Sequence, residues 1–194
     1  VARNDVAPHD VVPLLVPDLP DRHELMPWLE RIDASQQYSN FGPLCRELEA
    51  RLADAFQQRT PHPIHVTTVC NATLGLELAL SALQLPRGAR VLLPTLTFVA
   101  TATSVVRAGL RPVLADIDEH SWRLTPAIAE QALRHGRFDA VMPVATFGAA
   151  QDMAAWHAFT QRTGIPVVVD AAGAFGNQWL GAPGTAVFSL HATK

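Results

Sequence analysis

Residues 139–176 read DAVMPVATFGAAQDMAAWHAFTQRTGIPVVVDAAGAFG, and their pattern decides the fold class. DAVMPVATFG at 139–148 is an apolar run leading into a glycine loop, as a strand would be. DMAAWHAFTQRTG follows as a helix ended by glycine. PVVVDAAGAFG is then a second strand that reaches Asp170 before a turn of small residues. Strands this apolar have no face left for water, which predicts a sheet covered on both sides.

The alternation extends in both directions. From Pro43, Leu44, Leu48, Leu52 and Phe56 recur every four residues, with Glu47, Glu49, Arg51 and Asp54 between them, which predicts a helix. IHVTTV at 64–69 alternates like a strand, and Asn71 or Thr73 can cap the leucine-rich helix after it. RVLLP at 90–94, RPVLADI at 111–117 and AVFSL at 186–190 are further strands. FVATATSVVRAG from Phe98 and PAIAEQALRHG at 126–136 are further helices. The expected fold is α/β, a mostly parallel sheet with helices on both faces.

Composition narrows the function. The 194 residues are 48% hydrophobic and 17% charged, with a formal net charge of -3, so no broad basic surface for nucleic acid is expected. No apolar run is long enough to span a membrane. The two cysteines, Cys45 and Cys70, suit a reducing compartment, and a cytoplasmic location is expected. His62 and His65 lack further ligands at metal-binding spacing, so no metal site is expected. Prolines crowd the N-terminal residues, and residues 1–42 are expected to form an extended arm and loop in front of a body that begins at residue 43.

In parallel sheets ligands gather at the carboxyl ends of strands. The residues expected there are NAT at 71–73, Thr97 and Phe98, Asp170, Ser189 and Lys194. Asp170 has three readings: a cap or loop-binding acid, a magnesium or ribose ligand, or the partner of a protonated ring nitrogen such as that of pyridoxal phosphate (PLP). The helix start at Ala72 and Thr73 offers free amides that could hold a phosphate or be simply capped. Neither a GxxxxGK[ST] nor a GxGxxG motif is present, which disfavours ATP and NAD. Lys194 follows an apparently buried strand, and an amine so placed can react with a carbonyl. A cofactor with an aldehyde, a phosphate and a ring nitrogen would use all these groups.

YSNFGPLCRELE at 38–49, VCNATLGLELAL at 69–80, LLPTLTFVATATSVVRAGLRPVLADID at 92–118, VMPVATFG at 141–148, VVVDAAGAFG at 167–176 and FSLHATK at 188–194 together resemble the DegT/DnrJ/EryC1/StrS sugar aminotransferases, fold-type I PLP enzymes. The resemblance implies that Lys194 carries PLP covalently and moves the proton, and that Asp170 keeps the pyridine nitrogen protonated. It implies a phosphate cradle of Ala72, Thr73 and Ser189, with Phe98 stacked on the ring. Tyr38, Asn40 and Gly42 would lie in a loop at the substrate mouth; His191 would orient substrate or phosphate, or fill its turn.

The activity implied is transfer of an amino group from an amino acid, with L-glutamate expected, to a nucleotide-linked keto sugar, in a homodimer. The alternatives are another PLP reaction, such as sugar dehydration or transamination of a non-sugar ketone, or a non-catalytic nucleotide-sugar-binding protein. The family's dehydratase branch has histidine where this chain keeps Lys194, which favours amino transfer. Two departures, Gly173 for a frequent glutamine and Ala145 for a frequent histidine, imply a roomier pocket. The large domain is expected over 43–194, with the rest of that domain and a small C-terminal domain lying beyond Lys194.

Overall fold

In the computed structural model, Pro17 and residues 19–193 are described. Lys194 and most of the N-terminal arm therefore lie outside the described residues. The central strand is β1 (Arg90–Pro94), whose side chains alternate between two cores. Val91 and Leu93 pack with Leu76, Leu80 and Val105 from α3 (Ala72–Ala82) and α4 (Val99–Arg107). Leu92 packs on the other face with Ala129, Trp156 and Phe159 from α5 (Pro126–Leu133) and α6 (Met153–Thr163). One five-residue strand thus anchors both helical layers, as expected of a doubly covered sheet.

Every strand pair is parallel. β1 lies between β2 (Arg111–Ala115) and β3 (Ala140–Val141), and β4 (Val168–Asp170) pairs with β5 (Thr185–Val187). Single bridges from Val141 to Val167 and from Val144 to Asp170 join the two groups, giving the order β2-β1-β3-β4-β5. The chain leaves β1 toward one side and returns on the other at β3, so the order reverses there. A crevice at the carboxyl ends of the strands belongs at such a reversal.

Several expectations need correction. Residues 22–35 form a helix, α1 (Arg22–Ser35), where an extended arm was expected. Asp21 accepts bonds from the amides of His23 and Glu24, and Glu24 reaches back to the Asp21 amide, a capping box that holds the helix start. Trp28 on α1 lies beneath the guanidinium groups of Arg31 and Arg51, and both arginines pair with Glu47 of α2 (Pro43–Gln57).

Residues 64–69 are extended but pair with no strand among the described residues. Their burial alternates residue by residue as a strand's would. Their backbone is held instead by α2: Gln57 Oε1 accepts from the Ile64 amide, and Glu49 accepts from both the Thr68 amide and hydroxyl. The strand at 139–148 is cut to two residues, and Pro143 just beyond them has no amide to give the β4 side, where only single bridges form. AVFSL leaves its ladder after Val187. β2 is an edge strand with Leu114 62% exposed, so its outer side is not buried as the pattern suggested. None of the described helices is long and apolar enough to cross a membrane.

Candidate active site

Asp170 closes β4 and is 5% exposed. A carboxylate so buried needs donors, and two are present. Thr101 Oγ1 lies 2.7 Å from Oδ2, and the Ala172 amide donates to Oδ1 across 3.1 Å. The backbone is fixed on both sides, since the Asp170 amide donates to Pro143 O and its carbonyl accepts from the Ala145 amide, each at 2.9 Å. The Ala172 bond is that of a loop-capping aspartate, whereas the Thr101 bond comes from a helix 69 residues away.

Asp170 is registered with Val187 of β5, and Val187 meets α3. A Cβ at Gly75 would come 2.9 Å from Val187 Cγ1, closer than real side chains approach. Glycine at this position lets the first turn of α3 lie against the strand end beside Asp170. Asn71 caps that turn through a 2.9 Å bond from the Leu74 amide. The amides of Ala72 and Thr73 have no partner among the described residues, so the turn retains donors for an anion. Ser189 follows Val187 by two residues, half-buried, and its Oγ accepts from the His191 amide at 3.3 Å. Ala72, Thr73, Asp170 and Ser189 are thereby gathered around one strand end.

Phe98 is the N-cap residue of α4, and its ring is 74% exposed, which removes the reading of an ordinary core phenylalanine. Its carbonyl accepts from the Thr101 amide at 3.1 Å, so the exposed ring and the hydroxyl that holds Asp170 share one helical turn. Together these groups suit PLP: donors for a phosphate, an aromatic face for the ring and a buried acid for its nitrogen.

Tyr38 is 69% exposed, Asn40 has φ +56°, and Gly42 caps α2; this loop is tied to α2 by a bond from Arg46 Nε to Phe41 O at 3.0 Å. His191 Nδ1 lies 2.9 Å from Thr193 Oγ1 and accepts from the Thr193 amide, so in these bonds it fills its own turn.

The roomier pocket expected from Ala145 is a correction. Ala145 is 3% exposed and packed among Met153, Val169, Ala171 and Ala174, so its small size fills a core position. Gly173 does leave room: among the described residues a Cβ there would meet only the Gly148 amide, at 3.8 Å.

The sequence reading missed three supporting residues. Thr101, fully buried, sits one helical turn beyond Thr97, and that spacing in TFVAT at 97–101 was the available signal. Gln178 and Gln151 form a buried clasp: the Gln151 amide donates to Gln178 Oε1 at 2.7 Å, and Gln178 Nε2 donates to Gln151 O at 3.0 Å. Gln151 Nε2 donates to Val144 O at 2.7 Å and its Oε1 accepts from Trp156 Nε1 at 2.9 Å, which holds the segment that bonds Asp170. No local pattern announces a pair 27 residues apart.

Known proteins share this arrangement of elements. The chain is 33% identical to a Bacillus cereus ATCC 10987 protein described as a PLP-dependent aminotransferase, with a TM-score of 0.82 over 94% of this chain and 51% of that one. It is 35% identical to DesI, solved in the presence of its TDP-sugar product, with a TM-score of 0.79 over 93% of this chain and 46% of that one. It is 27% identical to 3-amino-5-hydroxybenzoic acid synthase, with a TM-score of 0.76 over 91% of this chain and 47% of that one. The chain thus spans about half the length of these relatives. Residues 21–194 match one family over most of the sequence, and the chain belongs to the DegT/DnrJ/EryC1/StrS aminotransferase family.

Proposed function

We propose that the whole protein is a PLP-dependent aminotransferase that moves an amino group from L-glutamate to a nucleotide-linked keto sugar. The observation that carries this reading is the buried, doubly held carboxylate of Asp170 beside the partnerless first-turn amides of α3. When bound, PLP supplies a protonated ring that accepts the electron pair left as a proton departs from the amine-bearing carbon. In this reading Asp170 keeps the ring nitrogen protonated, and the Ala72 and Thr73 amides with Ser189 hold the phosphate. Phe98 fixes the plane of the ring. Lys194 tethers the cofactor and then carries the proton to and from the amine-bearing carbon.

The sugar substrate is supported by DesI, whose structure was solved with a TDP-sugar product. A second reading, a non-sugar ketone, is favoured by the likeness to 3-amino-5-hydroxybenzoic acid synthase. A homodimer in the cytoplasm completes the proposal. The test is an absorbance spectrum of the full-length protein with PLP before and after L-glutamate. Conversion of the cofactor to its amine form, followed by return on adding a nucleotide-linked keto sugar, is the expected result. Conversion without return would remove the sugar assignment, and no conversion would remove glutamate as donor.

A further inference from the structure

The environment of Asp170 contains more than one donor in contact. Thr97 Oγ1 lies 2.6 Å from Thr101 Oγ1, which lies 2.7 Å from Asp170 Oδ2. An ionised carboxylate can only accept, so the Thr101 proton must point at Asp170. The Thr101 oxygen is then the acceptor for Thr97. The competing acceptor of Thr97, the Phe98 carbonyl, is farther away at 3.3 Å.

A buried helical threonine commonly satisfies its hydroxyl by bonding back to the carbonyl four residues earlier. Thr101 is fully buried in α4 and instead reaches across to β4, 69 residues along the chain. The shape of this chain is therefore set by tertiary structure. It originates in the same turn that presents the exposed Phe98 ring, so one helix start governs both an aromatic face and an acid.

We propose that Thr101, ordered by Thr97, is a positioning residue that holds the Asp170 carboxylate charged and aligned for the ring nitrogen of PLP. This rests on the reading of Asp170 given above. A threonine that only filled space would affect every ligand of the site equally; one acting through Asp170 affects only ligands with a basic ring nitrogen.

That difference is measurable in full-length protein freed of cofactor, by titrating PLP and a PLP analogue with carbon in place of the pyridine nitrogen. Thr101→Val keeps the shape and removes the donor, and it should weaken PLP about tenfold, the scale of one hydrogen bond to a charged group, while leaving the analogue unchanged. Thr101→Ser should restore PLP binding, and Thr97→Val should weaken it less than Thr101→Val. Equal loss for both ligands, or no loss for either, would overturn the proposal. Asp170→Asn separates the two levels. If it discriminates between the ligands and Thr101→Val does not, the role of Thr101 fails alone; if it does not discriminate, the reading of Asp170 fails as well.

Discussion

At the scale of single residues, burial separates positions that look equivalent in the sequence. Ala145 and Gly173 are the two small residues from which a roomier pocket was expected, yet their surroundings differ. Ala145 is enclosed by Met153, Val169, Ala171 and Ala174. Gly173 has, among the described residues, only a backbone amide at ordinary contact distance. Ala145→His should therefore lower the thermal midpoint, with roughly 1–3 kcal/mol or more lost to overpacking, whereas Gly173→Gln should leave it nearly unchanged. Thermal denaturation of the two variants checks this; equal destabilisation would refute the distinction. The strand end at Asp170 and the helix start at Phe98 were legible from the sequence pattern. Thr101 was hidden because its partner is 69 residues away.

At the scale of elements, the segment 64–69 shows how hydrogen bonding overrides pattern. Its alternation suits a strand, but α2 takes its polar groups. Bonds from the Thr68 amide first, and then its hydroxyl, hold the Glu49 carboxyl below its ordinary value of 4.5. A depressed carboxylate contributes stability that is complete above its unfolded value and is lost as pH falls through the lower folded value. The clamp between α2 and Thr68 should thus be intact at neutral pH and release in acid. The amide proton shift of Thr68 should follow pH with a midpoint below that of a free glutamate, and Glu49→Gln should flatten the curve. A midpoint at or above the ordinary value would contradict the clamp. α1 was hidden for a different reason: Pro27, a residue that ordinarily ends a helix, lies inside it, although Asp21 and Glu24 form a capping box at its start.

At the scale of the whole molecule, the α/β class and ten of the eleven segments read as helices or strands, all but 64–69, follow from hydrophobic period and glycine placement, as in RVLLP, PVVVD and DMAAWHAFTQRTG. Strand order does not, because it depends on contacts between distant segments such as Val144 with Asp170. That order makes the site, since it brings the end of β4 between the turn that carries Thr101 and the strand that meets α3. In the proposed reading this strand end holds PLP for the lysine at the close of FSLHATK. The direct measurement is borohydride reduction of the full-length protein with PLP, followed by peptide mass analysis. The account predicts a phosphopyridoxyl group on Lys194 and its disappearance in Lys194→Ala; attachment at another residue, or retention in that variant, would contradict it.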